Sequence, residues 1–172
     1  KSKMAVVLSW EERAGVETEK MVKEIEKNYQ NFFYEFTVIK HPAGLPGEMP
    51  GKGSNMAYAA GFAKENIINP RGIPYDHILV SNFDVDTIVS PEYFGILTHT
   101  FLTSDNPLRA SYQPIPLYVN NIWEAPSIAR VVAFSATIWH TIKQEKHETA
   151  PTFSYHSMPW QALVDVGFWQ KN

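Results

Sequence analysis

Residues 78–94 read ILVSNFDVDTIVSPEYF, and the fold turns on them. His77–Phe83 is an apolar, β-rich run that predicts a strand, and it ends at Asp84-Val85-Asp86. Ser90-Pro91-Glu92 then opens a helix to about Leu102: a capping Ser, Pro at the first helical position and an acid in the first turn. Strand, polar loop, helix is the repeating step of an α/β domain.

The same step recurs upstream. Met4–Leu8 (MAVVL) suits a buried strand. Thr18 predicts the cap of a helix with Met21, Val22, Ile25, Tyr29 and Phe32 on one face. Tyr34–Ile39 alternates as a second strand. Three Pro and four Gly between His41 and Asn55 require a loop. Ser54 predicts the cap of a helix to about Asn66, with Met56, Ala59, Ala60 and Ala63 inward, before an Asn69–Pro74 turn.

Downstream, Pro114 and Pro116 reduce Arg109–Val119 to an edge or irregular strand. Pro126 starts a helix to about Ile142, and Lys143–Thr149 is a charged loop. Thr152–Ser157 reads as a short strand and Pro159–Val166 as a short helix. The order implies one α/β domain over 1–172, a mainly parallel sheet flanked by helices.

Composition narrows the chemistry. The 172 residues are 44% hydrophobic, enough for a core, so a disordered chain is excluded. Fifteen Lys and Arg against eighteen Asp and Glu give a net charge of −3, which argues against a nucleic-acid partner held by a broad basic surface. With no cysteine, disulfides, thiolate metal sites and thiol nucleophiles are excluded. The longest apolar stretch, Ile128–Trp139, is interrupted by Arg130 and falls short of a membrane span. The opening lacks an initiator Met, so a piece of a longer protein is expected.

Asp84 and Asp86 stand at i and i+2 after a strand, a spacing that puts both on one face of an extended chain. Paired carboxylates repel unless a cation or donors compensate them, and hard oxygen ligands suit Mg²⁺ or Mn²⁺. The plainer alternative is that the Asp residues cap a turn. Gly51-Lys52-Gly53-Ser54-Asn55 lies at a predicted helix mouth, where backbone N–H groups attract anions. It is not a Walker A loop, since the Lys precedes the second Gly.

Taken together, GKGSNMAYAAGFA at 51–63 and ILVSNFDVDTIVSPEYF at 78–94 resemble family 2 glycosyltransferases of the GT-A fold. Gly51, Lys52, Asn55, Gly61, Asp84, Asp86 and Pro91 match that pattern in order, and TFSYHSMPWQALVDVGFW at 152–169 resembles the segment closing on its Val-Gly-Gly-Phe-like turn. The resemblance implies metal-dependent, inverting transfer of a sugar from a nucleotide-diphosphate donor to a glycan, lipid or other acceptor. It implies that Lys52, Asn55, Asp84 and Asp86 contact the donor. Asp86 and Asp84 would hold Mn²⁺ or Mg²⁺, with His156 as a third metal ligand or an acceptor contact. Trp160 and Trp123 would offer acceptor platforms, and Gln113 would line the donor–acceptor boundary.

The family's base-packing first-strand motif, its Gln-x-x-Arg-Trp motif and its catalytic Glu-Asp pair are not found, which implies a domain incomplete at both ends with its base beyond Asn172. The other histidines read as structural or loop residues. The resemblance also implies a full-length protein tethered at the cytoplasmic face of a membrane. Two alternatives remain. A haloacid-dehalogenase-like phosphohydrolase would use Asp84 as nucleophile and Asp86 as acid/base. A nucleotide-sugar-binding fragment would be catalytically incomplete.

Overall fold

The computed structural model describes residues 3–119, 122–145 and 155–170. The chain is mixed α/β and divides into two compact units, Lys1–Pro74 with Leu163–Asn172, and Tyr75–Ala162. No helix among the described residues is long and apolar enough to cross a membrane.

The first unit is built on β1 (Ala5–Glu11) and β2 (Glu35–His41), paired in parallel from Ala5 opposite Glu35 to Glu11 opposite His41. A parallel pair needs a crossover, and α1 (Gly15–Tyr29) supplies it, packing on both strands. The helix starts three residues before the expected cap. Thr18 Oγ1 donates back to the Ala14 carbonyl (3.1 Å) instead of capping. Val22 is buried and Ile25 half-buried, whereas Met21, Tyr29 and Phe32 are exposed, so the apolar stripe packs only at its centre.

The Pro- and Gly-rich loop after β2 is anchored by a buried pair. His41 Nε2 lies 2.9 Å from Glu48 Oε2, both side chains are buried, and the His41 ring lies against Tyr58 at 4.7 Å. The chain then enters α2 (Lys52–Ala63), which runs on as a π-helical turn at Lys64–Ile68. Ala57 and Ala60 are buried, and such small side chains let α2 lie close to β1 and β2. Trp10, Ile39, Ile67 and Ile68 complete this core. Ser54 is buried and donates to the Met49 carbonyl (2.6 Å), so it ties the loop to the helix rather than capping it.

Gly53 explains part of the Gly-rich stretch. A Cβ at this position would collide with the Gln170 backbone carbonyl, whereas a Cβ at Gly61 would meet nothing within 4 Å. Gly53→Ala is therefore expected to destabilise by about 1–3 kcal/mol through overpacking. Gly61→Ala, in the same helix, is expected to stabilise by up to about 1 kcal/mol through propensity. Urea unfolding of the two variants reads these opposite signs.

The second unit departs from the expected parallel sheet. β3 (Leu79–Ser81) pairs antiparallel with β4 (Ser157–Pro159), so the described residues form two two-stranded sheets, of which β1–β2 is the parallel one. β3 is also shorter than expected. Tyr75–His77 forms a 3₁₀ turn at its start, and Phe83 and the residues after it leave the ladder. Pro114 and Pro116 lack an N–H, and from 109–119 only Tyr112 bridges to β4, at Ser157.

The helices are α3 (Tyr93–Thr103), α4 (Ser127–Gln144) and α5 (Trp160–Asp165). Ser90 does not cap α3 with its side chain, and α3 starts only at Tyr93. In place of the expected strand at 152–157, β4 begins at Ser157, and 152–154 lie outside the described residues.

Ser157 is the hub of this unit. It is fully buried, its Oγ lies 2.7 Å from Ser81 Oγ and 3.0 Å from Tyr93 Oη, and its backbone exchanges two hydrogen bonds with Tyr112. Ser157→Ala strands two hydroxyls and is expected to cost about 1–3 kcal/mol. The check is a lower urea midpoint with an unchanged slope.

Candidate functional site

The Asp84–Asp86 segment is a turn, not an extension of β3. Thr87 N donates to the Asp84 carbonyl (3.0 Å), Val85 is 94% exposed, Asp86 is exposed and Asp84 half-buried. The strand pleat therefore does not align the two carboxylates. Burial of Thr87 Oγ1 and exposure of Val85 fix which side of the turn faces the protein.

The strand across the ladder continues beside this turn. Asn82 N donates to the His156 carbonyl (3.3 Å), extending the β3–β4 register by one residue. Tyr155 is the residue just before His156 in the chain, and Phe83 the residue just after Asn82. Phe83 itself is held by ring contacts with Tyr93 (5.6 Å) and Phe94 (6.2 Å).

Burial pushes the Tyr155 phenol above its ordinary pKa. Tyr118 and the charges of Asp84 and Asp86 act in the same direction, and a hydrogen bond with Tyr118 adds to it. The phenol therefore stays protonated at neutral pH and keeps a hydroxyl able to donate. Tyr118 Oη in turn lies 3.3 Å from Nε2 of His140, which is buried on α4. Asp84, Asp86, Tyr155, Tyr118 and His140 thus form one polar neighbourhood within the second unit.

Tyr155 and Tyr118 were not singled out from the sequence, although both lie in segments that were, SYHSMPW and QPIPLYVNN. The signal that finds them is the antiparallel register, which no local pattern encodes. His140, expected to be structural, is buried and hydrogen-bonded as such a residue should be.

Among the described residues, no three His, Asp or Glu side chains gather into a group able to hold a metal by protein ligands alone. The backbone carbonyl of His156 accepts from Asn82 N (3.3 Å). The remaining donor set, two carboxylates without nitrogen ligands, fits Mg²⁺ or Mn²⁺. Such ions keep several waters and are typically held by one or two carboxylates plus phosphate oxygens.

Trp160 is 3% exposed and packs in the core, so it presents no open ring face for a sugar. Trp123 is 82% exposed, with the Arg130 guanidinium over its ring at 5.7 Å. Gln113 Nε2 donates to the Pro114 carbonyl (3.1 Å) and its own carbonyl accepts from Gln144 Nε2 (2.9 Å), which places it in the scaffold under α4.

Lys52 and Asn55 belong to the first unit. Lys52 is exposed at the start of α2. Asn55 is engaged in structure, its Oδ1 accepting from Ser9 Oγ (2.5 Å) and its Nδ2 donating to the Ser9 carbonyl (3.3 Å), which clamps α2 to β1. The close backbone approach expected at Gly53 is made by Gln170 of the same chain.

Searches against protein-family models, curated proteins and solved structures find no match to this chain.

Proposed function

We propose that this chain is the donor-binding part of a metal-dependent, inverting glycosyltransferase of the GT-A type, acting on a nucleotide-diphosphate sugar. The observation that carries the reading is the turn at the exit of β3 that carries Asp84, half-buried, and Asp86, exposed, with the charges of both raising the pKa of the Tyr155 phenol. The motif order from Gly51 to Pro91 supports the same assignment.

In this reading Asp86, the exposed member, and Asp84 hold Mn²⁺ or Mg²⁺. When bound, the ion neutralises charge on the pyrophosphate and on the departing nucleoside diphosphate. Asp84 is oriented by its turn, and Tyr155 offers a hydroxyl donor to an oxygen of the donor molecule. Tyr118 and His140 keep that phenol in place from behind.

In this reading the two carboxylates serve the leaving-group side, so the base that must deprotonate the acceptor is another group.

Calorimetry with a nucleoside diphosphate tests the assignment. Binding that requires Mn²⁺ or Mg²⁺ and disappears in EDTA is expected; equal affinity with and without the metal would overturn it. Hydrolysis of an aryl phosphate that is lost in Asp84→Asn would instead assign the haloacid-dehalogenase-like phosphohydrolase.

A further inference from the structure

Helix α4 is packed inside out. Its inward stripe is polar or small: Arg130, Ala133, Ala136, Thr137, His140 and Gln144 are buried or half-buried. Three of these reach one proline-broken segment. Thr137 Oγ1 donates to the Pro116 carbonyl (3.4 Å), Gln144 Nε2 donates to the Gln113 carbonyl (2.9 Å), and His140 Nε2 meets Tyr118 Oη (3.3 Å). Among the described residues that segment makes no ladder beyond Tyr112, and the polar side of α4 provides donors for its carbonyls.

The apolar side therefore faces outward. Ile128, Val131, Val132, Phe134, Ile138 and Ile142 are 45–79% exposed, on a helix of 18 residues, roughly 27 Å long. Beside it, alternate residues of the proline segment, Ile115, Leu117 and Val119, are exposed as well. An apolar surface of this extent marks an interaction site.

The charges and aromatic rings at the helix ends indicate what covers it. Ser127–Gln144 contains Arg130 and Lys143 and no Asp or Glu. Each cation is paired with a tryptophan ring, Arg130 over Trp123 at 5.7 Å and Lys143 over Trp139 at 5.3 Å, one pair near each end. A broad apolar face flanked by tryptophans and cations is the pattern of a helix lying in the headgroup region of a bilayer.

A second copy fits less well. Parallel pairing through this face would set Lys143 of one copy against Lys143 of the other, and antiparallel pairing would bring that ammonium over the apolar Ile128 end, with no acid in Ser127–Gln144 to meet it. We propose that α4 is a lipid-docking surface, by which this chain rests on an anionic bilayer with the helix axis in the membrane plane. This inference stands on α4 alone and does not depend on the glycosyltransferase reading.

The test is co-sedimentation with vesicles of phosphatidylcholine, alone or mixed with phosphatidylglycerol. Tryptophan quenching by brominated lipid is measured in parallel on the unaltered protein. Binding to the mixed vesicles that weakens with salt, together with quenching, is expected. Phe134→Ser and, separately, Val131→Ser are expected to lower partitioning, by at least about tenfold when combined. Lys143→Gln is expected to lower it about fivefold on the anionic vesicles only.

All three side chains project from an exposed face, and circular dichroism checks that the helix content is kept. Absence of vesicle binding and of quenching by the unaltered protein would overturn the proposal. So would partitioning that the substitutions leave unchanged in folded protein. A dimer in sedimentation equilibrium that Phe134→Ser dissolves would also overturn it and assign the face to a second copy.

Discussion

Asp86→Ala is expected to remove the metal-dependent part of nucleoside-diphosphate binding, a loss of at least about a hundredfold in affinity. Asp86 is the exposed carboxylate of the turn, and its neighbour Val85 is 94% exposed, so truncation there takes little from the packing. A surface change of this kind moves stability by within about 0.5 kcal/mol. The unfolding temperature should therefore stay while binding goes. The pairing of those two results separates a ligand from a structural cap. Titration of the variant with Mn²⁺ present should match titration of the unaltered protein in EDTA. A variant that binds as tightly as the unaltered protein would show that Asp86 serves only the turn.

Trp160→Ala is expected to do the reverse, lowering stability by about 3–5 kcal/mol because a large buried ring is lost and its cavity remains. In a protein of this size that corresponds to a fall of roughly 6–20 °C in unfolding temperature. Trp160 is 3% exposed, its backbone N–H donates to the Ile78 carbonyl (2.8 Å), and it follows directly on Pro159, which is itself fully buried. Trp160→Phe restores most of the volume and should recover much of the loss. Calorimetric melting of the pair distinguishes a core role from an acceptor platform, for which an alanine variant would melt normally and bind acceptor poorly.

Where local periodicity decided the structure, it was legible in the residues. MAVVL and YEFTVI lie within or against β1 and β2, and the amphipathic run between them is α1, because a βαβ step is short-range. Boundaries were missed where a hydroxyl had two choices. Thr18 and Ser54 both bond a preceding carbonyl instead of capping forward.

The sheet of the second unit was not legible. Pairing of Leu79–Ser81 with Ser157–Pro159 joins segments far apart in the chain, and nothing in either segment specifies direction. The candidate site shares that limit. Asp84 and Asp86 are conspicuous as residues, but their shared neighbour Tyr155 follows from the register, and Tyr118 from a segment whose prolines hide it from any strand pattern. For α4, a period of 3.6 tells which residues share a face. Which face packs was decided by the carbonyls of the proline segment.

The first unit draws on both ends of the chain, with Tyr75–Ala162 lying between its two parts in sequence. This has a consequence on the ribosome. Residues up to Pro74 emerge with β1, β2 and α2 in hand, but Gln170 over Gly53 and Phe168 beside Lys64 are still to be made. At roughly 5–20 residues per second, the intervening stretch of about 90 residues delays them by roughly 5–20 s. Throughout that interval α2 lacks the cover that Gln170 and Phe168 bring to it. A chaperone that binds apolar, extended chain has its window there, and it closes once Phe168 and Gln170 have emerged and seated.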